Sequence, residues 1–264
     1  MSEIPASLVK ELRDLTGAGM MACKRALEET NGDLEEARRL LRERGLAAAG
    51  KRAGEETPEG KVLTHIRNGR GAIVAVGCET EPVSNNEEFL AFAQHLLDVV
   101  ELEGPEAASN LDEERVELVA KIGENVAVQG AARFDAQNGE LLASYVHPPA
   151  RKIGVLVRFE GTPELARMLA MHIAASAPRY LARADVPEQE VSKERAIYEK
   201  MPDVTSKPEQ VQPKIVEGML QKRFFAENVL LDQPWVHDPS QTVGKALGEQ
   251  GGEVREFVRY ALGG

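Results

Sequence analysis

The order strand, turn, buried strand, loop, helix is spelled twice in this sequence, and that repetition restricts the folds open to it. In the first copy Val62, Thr64 and Ile66 alternate, Asn68-Gly69 marks a hairpin turn, and Ala72–Val76 is a short apolar strand. A helix with Phe89, Phe92, Ala93, Leu96, Leu97 and Val100 at helical spacing follows. In the second copy Leu142–Val146 is a strand, His147-Pro148-Pro149-Ala150-Arg151 a connection and Ile153–Phe159 a second strand. Leu165, Met168, Leu169, Met171 and Ile173 then mark a helix. Setting Val76 against Val157 superimposes the copies at an offset of about 81 residues. The strand-to-helix loop is about five residues longer in the first copy, and the excess lies in PVSNNEE. Two related α+β halves sharing one core, 55–140 and 141–186 with 218–264, account for this pattern. A helix at about Asp112–Ile122 and a strand at Asn125–Phe134 complete the first half.

Outside the repeat the character changes. Residues 1–54 read as a three-helix unit with a linker. Ser7–Leu15 is amphipathic with Ser7 as N-cap, and Thr16-Gly17-Ala18-Gly19 turns the chain. A second helix runs from about Met20 to Thr30, and Asp33 with Glu36 forms a capping box for a third that ends at Gly45. Residues 46–60 lack an apolar period and read as a linker. The stretch 187–217 is charged and broken by prolines, as expected of two short helices in a helical arm. Near the end, TVGKALGEQ and REFVRYAL both read as helical. Aromatic residues make up only 5% of the chain, so its core must be built from Ala, Val, Leu and Ile.

Residues 77–89, GCETEPVSNNEEF, place four glutamates beside a buried strand. Calcium would require oxygens at alternating positions around a central glycine, which this stretch lacks. A carboxylate pair at Glu79 and Glu81 would serve a hydrolase, but no aromatic sugar-binding face accompanies it. The plain reading is a solvated loop, with Glu87 and Glu88 favourably placed at the positive end of the following helix. His65, His95, His147, His172 and His237 show no metal-ligand spacing; His95 and His172 fall beside apolar helix positions. No phosphate-binding glycine motif is present. The net charge of -11 disfavours direct nucleic-acid binding, which depends on clustered cations. Cys23 and Cys78 form no CxxC pair and read as reduced structural thiols, and no stretch is long and apolar enough to span a membrane. A cytoplasmic protein is expected, and no metal or cofactor.

LVKELRDLTGAGMMACKRALEETNGDLEEA at 8–37 resembles the N-terminal signature of the elongation factor Ts family, guanine-nucleotide exchange factors for elongation factor Tu. The resemblance continues through ETEPVSNNEEF, VAKIGENVAV, the ASYVH strand, KIGVLV, MHIAASAPRYL, VEGMLQKRFFAENVLLDQPWV and PSQTVG, in order over nearly the whole chain. It implies a ubiquitin-associated-like (UBA-like) helical domain, a two-part α+β core and a protruding helical arm that dimerises in some members. A homodimer or a 2:2 complex is therefore open. It also implies contact residues on elongation factor Tu: Arg13, Met20 and Met21 of the bundle, Ile122, Gly123 and His147 of the core, and a magnesium-dislocating tip at Thr80-Glu81-Pro82-Val83. The family's Asp-Phe at that tip is Glu81-Pro82 here, Ala22 stands where an Asp is common, and the short C-terminal module of some members is expected to be missing after Gly264. The rival readings are a scaffold that docks without exchanging nucleotide, and a carboxylate enzyme centred on Glu79 and Glu81.

Overall fold

The computed structural model describes residues 4–263. Three helices open it: α1 (Ala6–Thr16), α2 (Met20–Glu29) and α3 (Leu34–Arg52). They close on a small core of Val9, Leu12, Cys23, Ala26, Leu27 and Ala37. Pro5, not Ser7, precedes the first helix, and Ser7 lies within its first turn. Asp33 caps α3 by accepting the Glu36 N–H at 2.9 Å. The Glu36 carboxylate turns to Arg39 instead of closing a capping box.

The largest departure from expectation is the length of α3. It does not stop at Gly45 but continues to Arg52, through the first seven residues of the segment expected to be a linker. Gly45 is an interior helix residue whose absent side chain allows close packing: a Cβ there would stand 2.5 Å from Cβ of Ala120. Ala49, one turn on, is buried in the core of the first half. The bundle is thus joined to the rest of the molecule by a continuous helix.

The first half is β1 (Glu59–Arg67), β2 (Arg70–Cys78), the one-turn helix α4 (Glu81–Ser84), α5 (Glu87–Glu103), α6 (Asp112–Ile122) and β3 (Val126–Asp135). The second begins with β4 (Glu140–Val146), β5 (Ile153–Glu160) and α7 (Pro163–Ser176). Next come α8 (Glu188–Glu199), α9 (Pro202–Thr205), α10 (Gln212–Met219), a π-helical stretch at Leu220–Phe225 and α11 (Ala226–Asn228). The chain finishes with β6 (Pro234–Trp235), β7 (Asp238–Thr242), α12 (Val243–Glu249) and β8 (Glu253–Ala261). The architecture is mixed α+β with small antiparallel sheets. Their strand orders correspond, β1-β2-β3 and β4-β5-β8, each a hairpin whose second strand pairs on its other side with a third strand.

REFVRYAL is therefore a strand and not a helix. Its apolar run fits either period, but Phe257, Val258 and Tyr260 favour extended backbone, and pairing along β5 from Ile153↔Ala261 to Glu160↔Glu253 decides the matter. β2 is buried on both faces. Ala72, Val74, Val76 and Cys78 meet α5 and α6, while Ile73 and Ala75 meet Leu156 of β5. In the second half Val155, Val157 and Phe159 face α7 and α12. The layers run helices, sheet, sheet, helices. Tyr198, Val204 and Val216 form a separate cluster with Val186, Leu220, Phe224 and Phe225, which lie outside the 187–217 stretch.

The junction below β2 is held by polar groups. Asn125 donates its backbone N–H to Glu79 Oε1 at 2.6 Å and its side-chain amide to the Glu55 carbonyl at 2.7 Å. Arg52 reaches both Glu79 oxygens, at 3.0 and 3.1 Å. The Asn125 N–H, then Arg52, holds the Glu79 carboxyl below its ordinary value. A group depressed in this way stabilises the fold above its unfolded pKa, and that contribution fades as pH falls through the folded value. Glu79→Gln is expected to destabilise the protein by about 1 kcal/mol at neutral pH, with the gap from the parent closing below about pH 4, as measured by urea unfolding across pH. Gly45→Ala gains roughly 1 kcal/mol of helix propensity but meets Ala120, at a cost of about 1–3 kcal/mol. It is expected to lower the melting temperature, and pairing it with Ala120→Gly should restore it.

Candidate functional site

The tip after β2 is built from residues 79–86, against Gly161 and Thr162 alone at the equivalent position of the second half. It is not an open acidic loop. Glu81-Pro82-Val83-Ser84 form the single helical turn α4, with Thr80 as its N-cap. Pro82 sits in the first turn, where its missing N–H costs no helical bond and its fixed φ favours the conformation. Ser84 N–H and Asn85 N–H donate to the carbonyls of Thr80 and Pro82, both at 3.2 Å. Asn86 then caps α5, accepting from Glu88 N–H at 2.8 Å and Phe89 N–H at 3.3 Å. The turn presents Glu81 and Pro82 to solvent, whereas Val83 packs on the first-half core. Cys78 donates its thiol to the Thr80 carbonyl at 3.3 Å, and burial pushes that thiol up to about 12.

The turn after α6 lies beside the tip. Gly123 ends the helix with φ of +81° and its N–H on the Val119 carbonyl at 2.8 Å, leaving Gly123 exposed and Ile122 half-buried. Glu124 receives Thr80 twice, the N–H at 3.0 Å and the hydroxyl at 2.7 Å. Arg13 lies in the last turn of α1, whose end is closed by Gly17 with φ of +66°. Lys121 crosses directly over Gly17, where a Cβ would fall 1.9 Å from its Cε, and pairs with Glu88 at 2.5 Å. Arg13, Val83 and Ile122 accordingly line one open cleft of about 770 Å³ between bundle and core, together with Lys121, Glu87 and Glu88.

Not every expected residue reaches that cleft. Met20 and Met21 are 55% and 62% exposed at the start of α2, outside its lining. His147 is exposed in the second half, with its Nδ1 2.9 Å from the Tyr145 hydroxyl and its N–H on the Ile153 carbonyl. Its connection is nevertheless pinned near the origin of the tip. Arg151 accepts the Val62 N–H at 2.7 Å and Ala150 accepts Lys61 Nζ at 3.1 Å, on the strand whose Glu59 pairs with Cys78.

A carboxylate enzyme at Glu79 and Glu81 finds no support here, because Asn125 and Arg52 occupy Glu79. Among the described residues no three His, Cys, Asp or Glu side chains converge on a position that could hold a metal ion, and no helix is long and apolar enough to cross a membrane. His172 is fully buried between Gln233 and the Val236 N–H, but His95 is exposed on α5 and bonded to Glu114 at 2.9 Å. Glu124, Asn125 and Lys121 were missed by sequence reasoning. The KIGEN stretch was visible, but nothing local shows that its Glu and Asn grip a segment more than forty residues away.

Comparison with known proteins identifies the family. The family model described as Elongation factor TS matches residues 79–264. Elongation factor Ts of Thioalkalivibrio sulfidiphilus is 44% identical over 98% of this chain and 92% of its own length. That of Methylococcus capsulatus is 42% identical over the same shares, and that of Escherichia coli 42% identical over 100% of this chain and 93% of its own. A match of this extent, covering both halves, the arm and the tip, places the chain in the elongation factor Ts family of translation elongation factors.

Proposed function

We propose that this chain binds GDP-bound elongation factor Tu and promotes GDP release by disturbing the magnesium and phosphate site, so that GTP can reload. The observation that carries this reading, beyond family membership, is the way the tip is anchored. A short helical turn with Pro82 in its first turn stands at the end of a strand buried from Gly71 to Cys78 and is tied through Glu124 to the Ile122-Gly123 turn. Exchange of this kind requires no covalent chemistry. A factor that binds the nucleotide-free partner more tightly than the GDP-bound one must weaken GDP by the same coupling free energy. Displacing a partner element that supports magnesium leaves the diphosphate charges less neutralised and speeds release.

The N-terminal helices act in this reading as a UBA-like docking module, with Arg13, Met20 and Met21 engaging the nucleotide domain. Met20 and Met21 suit the task, being exposed, flexible and apolar. Thr80, Glu81, Pro82 and Val83 form the wedge, and Ile122, Gly123 and His147 the surrounding contact surface. The wedge differs in kind from one that inserts an aromatic ring. Here stiffness replaces bulk, and Glu81 supplies the acid.

Release of labelled GDP from elongation factor Tu, with and without this chain, tests the proposal; acceleration is expected. Complex formation without acceleration would establish the scaffold reading instead. Pro82→Ala, which frees the turn without emptying a core position, is expected to lower the maximal release rate about two- to fivefold. Met20→Ala with Met21→Ala is expected to raise the half-saturating concentration roughly tenfold at a nearly unchanged maximal rate.

A further inference from the structure

The two segments at the base of the tip exchange carboxylates. Glu79 accepts the backbone N–H of Asn125, and Glu124, one residue before Asn125, accepts the backbone N–H of Thr80, one residue after Glu79. Each segment thus grips the other's main chain at adjacent positions, and the second carboxylate also takes the Thr80 hydroxyl at 2.7 Å. Arg52 of α3 closes the arrangement on Glu79, which brings the end of the bundle's last helix to the same point. Charged acceptors make the stronger class of hydrogen bond, and two on one residue fix direction as well as distance.

We infer that Glu124 is a positioning residue for nucleotide exchange: by holding Thr80 at two atoms it sets the direction of the turn Glu81–Ser84 and makes that turn and Ile122-Gly123 move as one rigid unit. The inference rests on the exchange reading above. It follows from where the holding atoms are. Thr80 is the N-cap of α4, and its carbonyl accepts the Ser84 N–H that closes the turn. Its own N–H and hydroxyl both end on Glu124. With Glu124 removed, the tip keeps its composition and its Cys78 contact but loses both bonds that orient Thr80. Glu124 reaches this place because Gly123 ends α6 with a left-handed residue, turning the chain back toward β2.

The test compares Glu124→Ala, Glu124→Asp and Glu124→Gln in labelled-GDP release from elongation factor Tu over a range of factor concentrations. Removing the carboxylate, or shortening it by one methylene with its charge kept, is expected to lower the maximal stimulated rate roughly tenfold. The half-saturating concentration should move less than about twofold, the pattern of a group that acts on the transition and not on docking. Gln, which can still accept the Thr80 N–H and meet its hydroxyl, should recover most of the rate. An unchanged maximal rate in folded Glu124→Ala, or a loss that Gln does not recover, would overturn the inference. If the parent chain itself fails to accelerate release, the exchange reading falls, and amide hydrogen exchange then judges the positioning role. Faster exchange at Thr80, Ser84 and Asn85 in Glu124→Ala supports it, and unchanged protection of Ser84 and Asn85 rejects it.

Discussion

Burial of β2 on both faces is the constraint on which the molecule depends. Its even and odd positions serve two cores, one with α5 and α6 and the other with the second sheet. A strand so placed can carry no charge along its buried length, and Gly71–Cys78 carries none, the one charge being Arg70 at its exposed start. Polar groups therefore crowd at its end, where Glu79 and Thr80 are the first residues able to bond across to another segment. The base of the tip is thereby set at the end of a buried strand and bonded to the turn after α6.

The same logic extends to the bundle. Three helices of this size bury few side chains by themselves, and this bundle continues its last helix onto α6. Gly45 against Ala120, Gly17 beneath Lys121 and Arg42 paired with Glu117 bring small and charged residues together along one seam. The cleft lined by Arg13, Val83 and Ile122 exists only because that seam sets the bundle beside the core. In the proposed function, docking and wedging surfaces belong to one framework, which is what transmission of a small displacement requires.

Much of the fold was legible because it is written in local periods. The N-terminal helices, both hairpins, α5, α6 and α7 follow from apolar spacing and from turns such as Asn68-Gly69. What failed was of two kinds. REFVRYAL fits helix and strand alike, and only a free edge on β5 resolves it. Gly45 carries a helix-ending signal, but its neighbour across space uses it for packing instead. Both failures occur where a distant partner outweighs local preference.

The candidate site divides in the same way. The chain by itself determined the residues of the tip, its extra length over the second copy and the family signature, since order and composition are local properties. That Glu79 holds the Asn125 N–H while Glu124 holds the Thr80 N–H, that the tip contains a helical turn, and that Arg13, Val83 and Ile122 share one cleft were decided by tertiary structure alone. The physical reason is that a carboxylate has no fixed role until its neighbours are known. In water it is a solvated charge, and beside a backbone N–H and a guanidinium, as at Glu79, it becomes a joint.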